Sequence, residues 1–158
     1  MGIVLDGIAG MFNGGNPNVQ KVHLKERTTV VGLALEAGAT IVPLYGFGQS
    51  SLWTVLTDPY GILEGLSITL QTSIVPFVGR WFMPLGPPTR NAPVTVVAGE
   101  PIHCPQCSRP PKGSTEKQNE LYQRVVAEYH QKMLDSFKQA FDQHKVAYGV
   151  PNKEMVIV

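Results

Sequence analysis

The sequence predicts an α/β fold that ends in a long amphipathic helix, and three observations carry that reading. A helical pattern, a glycine stop and a β-branched run follow one another between residues 24 and 45. A second β-branched run, Val94-Thr95-Val96-Val97-Ala98, is entered through Pro93. After Thr115, apolar residues hold one helical face as far as Ala140. Helix, turn and strand in this order argue for a layered α/β architecture.

Each element has its own local cause. Ile3-Val4-Leu5 ahead of Asp6-Gly7 suits a short buried strand and its turn. Residues 13–18, Asn-Gly-Gly-Asn-Pro-Asn, are loop chemistry throughout. Over residues 24–37, Leu24, Val31, Ala34 and Leu35 share one helical face, and Gly38 closes the helix. Residues 40–45 read as a strand, in which Pro43 marks an edge, a bulge or a strand end. Residues 52–82 are apolar with scattered glycine and proline, and 62–75 fit either helix or strand. The strand at 94–98 leaves through Gly99-Glu100-Pro101-Ile102 into a proline-rich loop at 103–113. Thr115 with Gln118 forms a capping box. Tyr122, Val126, Tyr129, Met133, Phe137 and Ala140 then make the stripe, and Gly149 and Pro151 stop the helix. No repeat or linker divides residues 1–158, so one domain is expected.

Composition narrows the function classes. Charged residues make up 16% of the chain and hydrophobic ones 43%. The charged share is below the roughly 25% of an ordinary soluble domain, so much of the surface is apolar or meets a partner. A membrane surface and the remainder of a larger domain are two such partners. With 13 basic against 12 acidic residues, the charge gives no case for nucleic acid. Met1 is followed by Gly-Ile-Val-Leu-Asp, so no signal peptide is expected. Residues 30–48 are interrupted by Glu36, Gly38 and Pro43, which argues against one spanning helix of ~20 apolar residues.

Several tempting motifs fail on physical grounds. His103-Cys104-Pro105-Gln106-Cys107 offers one Cys-x-x-Cys pair, whereas a structural zinc site needs four ligands. A surface loop with two free thiols is expected there, and no metal. His130 and Asp135 have a His-x4-Asp spacing but lie inside one regular helix. At 3.6 residues per turn such positions point about 140° apart, so they cannot form a dyad. No dinucleotide loop, Walker pattern or Gly-x-Ser-x-Gly elbow occurs.

Two features survive. Arg27 falls on the same predicted helical face as Val31 and Ala34, which turns a charge toward the buried side. It snorkels or pairs with a carboxylate, or else it aims a guanidinium at an anionic ligand such as a phosphate. Pro43-Leu44-Tyr45-Gly46-Phe47-Gly48-Gln49 follows a strand directly, where ligand sites of α/β folds collect. Tyr45 and Phe47 could form an apolar wall there, or the segment is an ordinary strand-to-loop corner.

The ordered segments carry a resemblance. Lys25-Glu26-Arg27, Gly32-Leu33-Ala34-Leu35, Gly38-Ala39 and Val42-Pro43-x-Tyr45-x-Phe47-Gly48 are similar to the central signature of the type 2 diacylglycerol and monoacylglycerol acyltransferases. Gly99-Glu100-Pro101-Ile102, approached through Arg90 and Pro93, matches that family's late strand and turn. Phe141-Asp142-Gln143-His144-Lys145 followed by Gly149-Val150-Pro151 is similar to its ending. The chain resembles the carboxy-terminal half of such an enzyme: part of the acyltransferase sheet with flanking helices.

The resemblance implies acyl transfer from acyl-CoA to a diacylglycerol or monoacylglycerol hydroxyl, with acyl-CoA as co-substrate and no cofactor. It implies the cytoplasmic face of the endoplasmic reticulum membrane, or lipid droplets, and leaves room for a homo-oligomer. Arg27 would contact an anionic part of acyl-CoA; Pro43, Tyr45, Phe47, Gly48 and Gln49 would line the pocket; Glu100 would orient a neighbouring loop. The family's His-Pro-His-Gly segment, with its general base, is expected upstream of Met1, so no catalytic residue is assigned in this chain. His103 beside Glu100 is the one substitute base the sequence offers. Asp6-Gly7-Ile8-Ala9-Gly10, Arg27-Thr28-Thr29-Val30 and Gln49 depart from the family pattern, two of them by losing an acid. A non-catalytic lipid-binding or interaction module derived from the enzyme is the rival reading.

Overall fold

The computed structural model describes residues 18–48, 93–111 and 113–158, with residues 2, 3, 5, 54, 55, 69, 77, 78, 81 and 87 besides. The described residues form an α/β arrangement with a long helix toward the carboxy terminus, as the sequence predicts, and one short strand follows that helix. Its strands are β1 Val19–Val22, β2 Thr40–Ile41, β3 Leu44–Phe47, β4 Thr54–Val55, β5 Phe77–Val78, β6 Thr95–Ala98, β7 Ile102–His103 and β8 Glu154–Ile157. The helices are α1 Thr29–Ala37 and α2 Glu116–Tyr148. Ile3 and Leu5 take no strand conformation, and Val4 lies outside the described residues. So do residues 13–17 and, residue 69 apart, the ambiguous segment 62–75.

Helix α2 is the spine. Its 33 residues span roughly 50 Å at 1.5 Å per residue. Tyr122, Val126, Met133 and Ala140 of the predicted stripe are buried, and Leu134 and Phe141 widen it. The predicted capping box does not form, although Thr115 is the N-cap. The N–H of Gln118, which a capping hydroxyl would take, instead donates to the Thr115 carbonyl at 2.9 Å. At the other end Gly149 adopts φ +93°, and the Val150 N–H returns to the Lys145 carbonyl at 2.9 Å.

Helix α1 is shorter than its apolar pattern. It starts at Thr29 because the residues before it are committed to turns and to a strand end. Arg27 N–H donates to Leu24 O at 3.0 Å, and Lys25 N–H donates to Val158 O at 3.1 Å. Leu24 is still buried, and its carbonyl accepts the His130 Nε2–H at 3.1 Å. Arg27, expected on a buried helical face, is exposed in this turn. Gly38 ends α1 as predicted, at φ +60° with the Ala39 N–H on the Ala34 carbonyl.

The strand expected at residues 40–45 changes partner in its middle. β2 pairs antiparallel with β7 and β3 with β6, while Val42 and Pro43 stand opposite the corner Gly99-Glu100-Pro101. Pro43 has no N–H to give, but its carbonyl accepts the Gly99 N–H at 2.8 Å. The corner is pressed against α2, where Ser136 Oγ donates to the Glu100 carbonyl at 3.0 Å. A Cβ on Gly99 would stand 2.6 Å from that hydroxyl, so this glycine is required by close approach.

Two features escape the sequence reading. β1 and β8 pair in parallel, Val19 with Glu154 through Val22 with Ile157. Cys104, expected on a surface loop, is 7% exposed and belongs to the core with Val31, Leu35 and Phe141. The loop is held down because the Cys107 N–H donates to the Leu35 carbonyl at 2.7 Å. Both thiols are unbridged, as expected. Among the described residues no helix is long and apolar enough to cross a membrane.

Candidate functional site

Tyr45 and Phe47 lie two residues apart on β3 and therefore face the same way, toward α2. The Tyr45 ring meets Phe137 and Phe141 edge-on at 5.7 and 5.2 Å. Phe47 stacks on Phe141 at 5.5 Å and on Tyr148 at 5.0 Å. These rings are mainly a core layer rather than an open wall, with Phe47 only 3% exposed. One edge of the layer stays accessible. There Phe47, Val97, Pro93 and Thr95 from the sheet side meet His144, Ala147 and Tyr148 of α2 around a cleft of about 310 Å³.

The cleft's corner is fixed by Gly48. Its φ is +87°, and a Cβ there would overlap the Pro93 carbonyl oxygen and the Tyr148 hydroxyl. The Tyr148 hydroxyl donates to that carbonyl at 2.7 Å, which ties the end of α2 to the entry of β6. His144 is half-buried and bonds through Nδ1 to the Ala140 carbonyl at 2.8 Å.

A second, polar cleft of about 460 Å³ lies at the opposite end of α2. Thr28 and Thr29 at the start of α1, Arg109 of the proline-rich loop, and Asn119 and Gln123 of α2 line it. Arg109 Nε pairs with Glu36 Oε1 at 3.1 Å, and Tyr122 donates to the same oxygen at 3.4 Å. Gly32 leaves room for both, since a Cβ would stand 3.3 Å from the tyrosine hydroxyl. Arg27 does not line this cleft, although it precedes Thr28.

The other sequence candidates separate. Pro43 is buried at the strand interruption, and Gln49 lies outside the described residues. Glu100 is exposed, and its backbone carbonyl holds the corner to α2. The His103 ring is taken by Thr40, Nδ1 to Oγ1 at 2.9 Å, rather than by Glu100. His130 is spent on the Leu24 carbonyl while the exposed Asp135 accepts from Gln131, so the rejected dyad is absent. Burial pushes the Cys104 thiol above its usual range, with Lys132 opposing more weakly. No three His, Cys, Asp or Glu side chains among the described residues are grouped to hold a metal ion.

The model of the family described as diacylglycerol acyltransferase matches residues 1–158 of this chain. The chain belongs to the diacylglycerol acyltransferase family. Human diacylglycerol O-acyltransferase 2-like protein 6 is 30% identical to it, over 90% of this chain and 42% of the relative. Human acyl-CoA wax alcohol acyltransferase 2 is 30% identical over 85% of this chain and 39% of its own length. Diacylglycerol O-acyltransferase 2 of Dictyostelium discoideum is 32% identical over 82% and 38% respectively. The chain thus spans about two-fifths of the length of these relatives. No solved structure gives a significant match.

Within this member of the family, the structure gathers the Tyr45-Gly46-Phe47-Gly48 segment and the end of α2 from Phe141 to Tyr148 around one cleft. The resemblance marks the first segment and Phe141 to Lys145 of the second without relating them in space. The sequence reading stopped the helical stripe at Ala140 and so missed His144 and Tyr148. Steps of four from Ala140 give both, which is the signal that finds them.

Proposed function

We propose that this chain forms part of an O-acyltransferase that moves a fatty acyl group from acyl-CoA to the hydroxyl of diacylglycerol, giving triacylglycerol. The observation that carries the reading is the family match over the whole chain. The relatives' names, which join acyl donors to glyceride or wax alcohol acceptors, support it. In the reaction the acceptor oxygen bonds to the thioester carbonyl carbon, the carbon–sulfur bond breaks, and the hydroxyl proton ends on the departing CoA thiol. The general base is not assigned to a residue of this chain.

Arg27, exposed ahead of α1, is suited to an anionic part of acyl-CoA. In this reading Phe47 lies on the apolar side of the pocket, Pro43, Tyr45 and Gly48 support it from behind, and Glu100 holds the neighbouring corner. The working place is the cytoplasmic face of the endoplasmic reticulum membrane or the lipid droplet surface. The full chain, given radiolabelled oleoyl-CoA and dioleoylglycerol in phosphatidylcholine vesicles, should make labelled triacylglycerol above a boiled control. No product above that control would sink turnover by this chain and favour the lipid-binding module. Equal or faster ester formation on hexadecanol would overturn the choice of diacylglycerol.

A further inference from the structure

We propose that the cleft beside His144 is a binding site for the free hydroxyl end of an aliphatic alcohol, with His144 Nε2 accepting the hydrogen bond. The inference rests on the acyltransfer reading for naming that alcohol as the acceptor, a partial glyceride. The chemistry of the site stands on its own geometry.

The histidine comes first. Its Nδ1 is 2.8 Å from the Ala140 carbonyl oxygen, and a carbonyl can only accept, so Nδ1 carries the proton. In the neutral ring Nε2 then bears the lone pair. The bond to Ala140 also fixes the ring against its own helix, one turn back, so the acceptor is held in place before any ligand arrives. No protein group among the described residues occupies Nε2.

The walls decide what Nε2 can receive. Phe47, Val97, Pro93 and Ala147 are apolar, and the Tyr148 hydroxyl is committed to the Pro93 carbonyl. Thr95 adds one hydroxyl that can both donate and accept. Among the described residues, no Lys, Arg, Asp or Glu lines the cleft. A carboxylate or phosphate would lie among apolar walls without a cation. A plain hydrocarbon would cover a half-buried ring acceptor and leave it unsatisfied. An alcohol meets both demands, giving one donor to Nε2 and its chain to Phe47 and Val97.

Size limits how much of the ligand enters. At about 310 Å³ the cleft is at the small end of ligand sites, which run ~300–1,000 Å³. It suits the hydroxyl end and the first carbons of an acceptor, with the remaining chain outside. The shape is stiff, because Phe47 is stacked on two rings and the Tyr148 hydroxyl ties the end of α2 to the Pro93 carbonyl.

The test uses the full chain with nitrogen-15 in its histidines, titrated with 1,2-dioctanoylglycerol and with the matched 3-acetyl ester, which lacks the hydroxyl. The His144 Nε2 resonance is expected to move with the diacylglycerol and to stay in place with the ester. His144→Phe keeps an aromatic ring and removes the acceptor, so the preference for the free hydroxyl should fall at least fivefold. Movement of His144 by the ester as large as by the diacylglycerol would overturn the proposal, as would an undiminished preference in the variant. Triacylglycerol formation with no hydroxyl-dependent shift would remove this site and leave the acyltransfer reading. A hydroxyl-dependent shift without turnover would support the site and remove that reading for this chain.

Discussion

The two clefts lie near opposite ends of α2 and are held in shape by different forces. The one beside His144 is bounded by stacked rings and a glycine that tolerates no side chain. The one beside Arg109 is bounded by an ion pair whose side chains are 61% and 36% exposed, and by a 3.4 Å hydrogen bond. Ring packing excludes water and resists deformation, whereas an exposed pair is screened and contributes little. A binding site that must hold a small neutral group needs the first kind of wall. The polar cleft can be reshaped by a few side-chain rotations.

Mutations break that comparison most strongly on the aromatic side. Phe141 is fully buried under Tyr45 and Phe47, so Phe141→Ala should lower unfolding free energy by about 3–5 kcal/mol in urea melts. A loss below about 1 kcal/mol would show that the ring layer does not hold the cleft. Gly48→Ala should cost about 2–4 kcal/mol, combining a left-handed backbone with overlap against Pro93 and Tyr148. The accompanying readout is Tyr148, whose hydroxyl proton should exchange faster once its bond to Pro93 is disturbed. At the polar end Arg109→Met should change stability by less than about 1 kcal/mol in the same melts. A larger loss there would mean that the proline-rich loop, not the ring layer, is the firmer support.

Much of this fold could be read from residue order, and the misses share a cause. The stripe of α2 and the glycine ends of both helices were legible because helical spacing and positive φ are local properties. The entry to α1 was not, because Leu24 is buried like a helical residue while its backbone serves a turn and accepts from His130. Arg27 was misplaced with it. The capping box failed for an equally local reason, since Gln118 found the Thr115 carbonyl before its hydroxyl. Cys104 went inside because the Cys107 N–H anchors the loop to α1. The site was half legible: Tyr45, Phe47 and Gly48 were singled out, but nothing along the chain relates them to His144. That relation depends on the β3–β6 pairing and on where α2 crosses it.

The pairing of β1 with β8 has a consequence for synthesis. Val19 is joined to Glu154 across 135 positions of chain, and the Val158 N–H closes the pair on the Val22 carbonyl. Contacts so remote in sequence form slowly, and here the partner strand does not exist until almost the whole described segment has been translated. On a ribosome making ~5–20 residues per second, β1 waits roughly 7–27 s with an unsatisfied edge. During that interval it is open to pairing with a neighbouring nascent chain, and chaperone contact there would protect the yield of native protein.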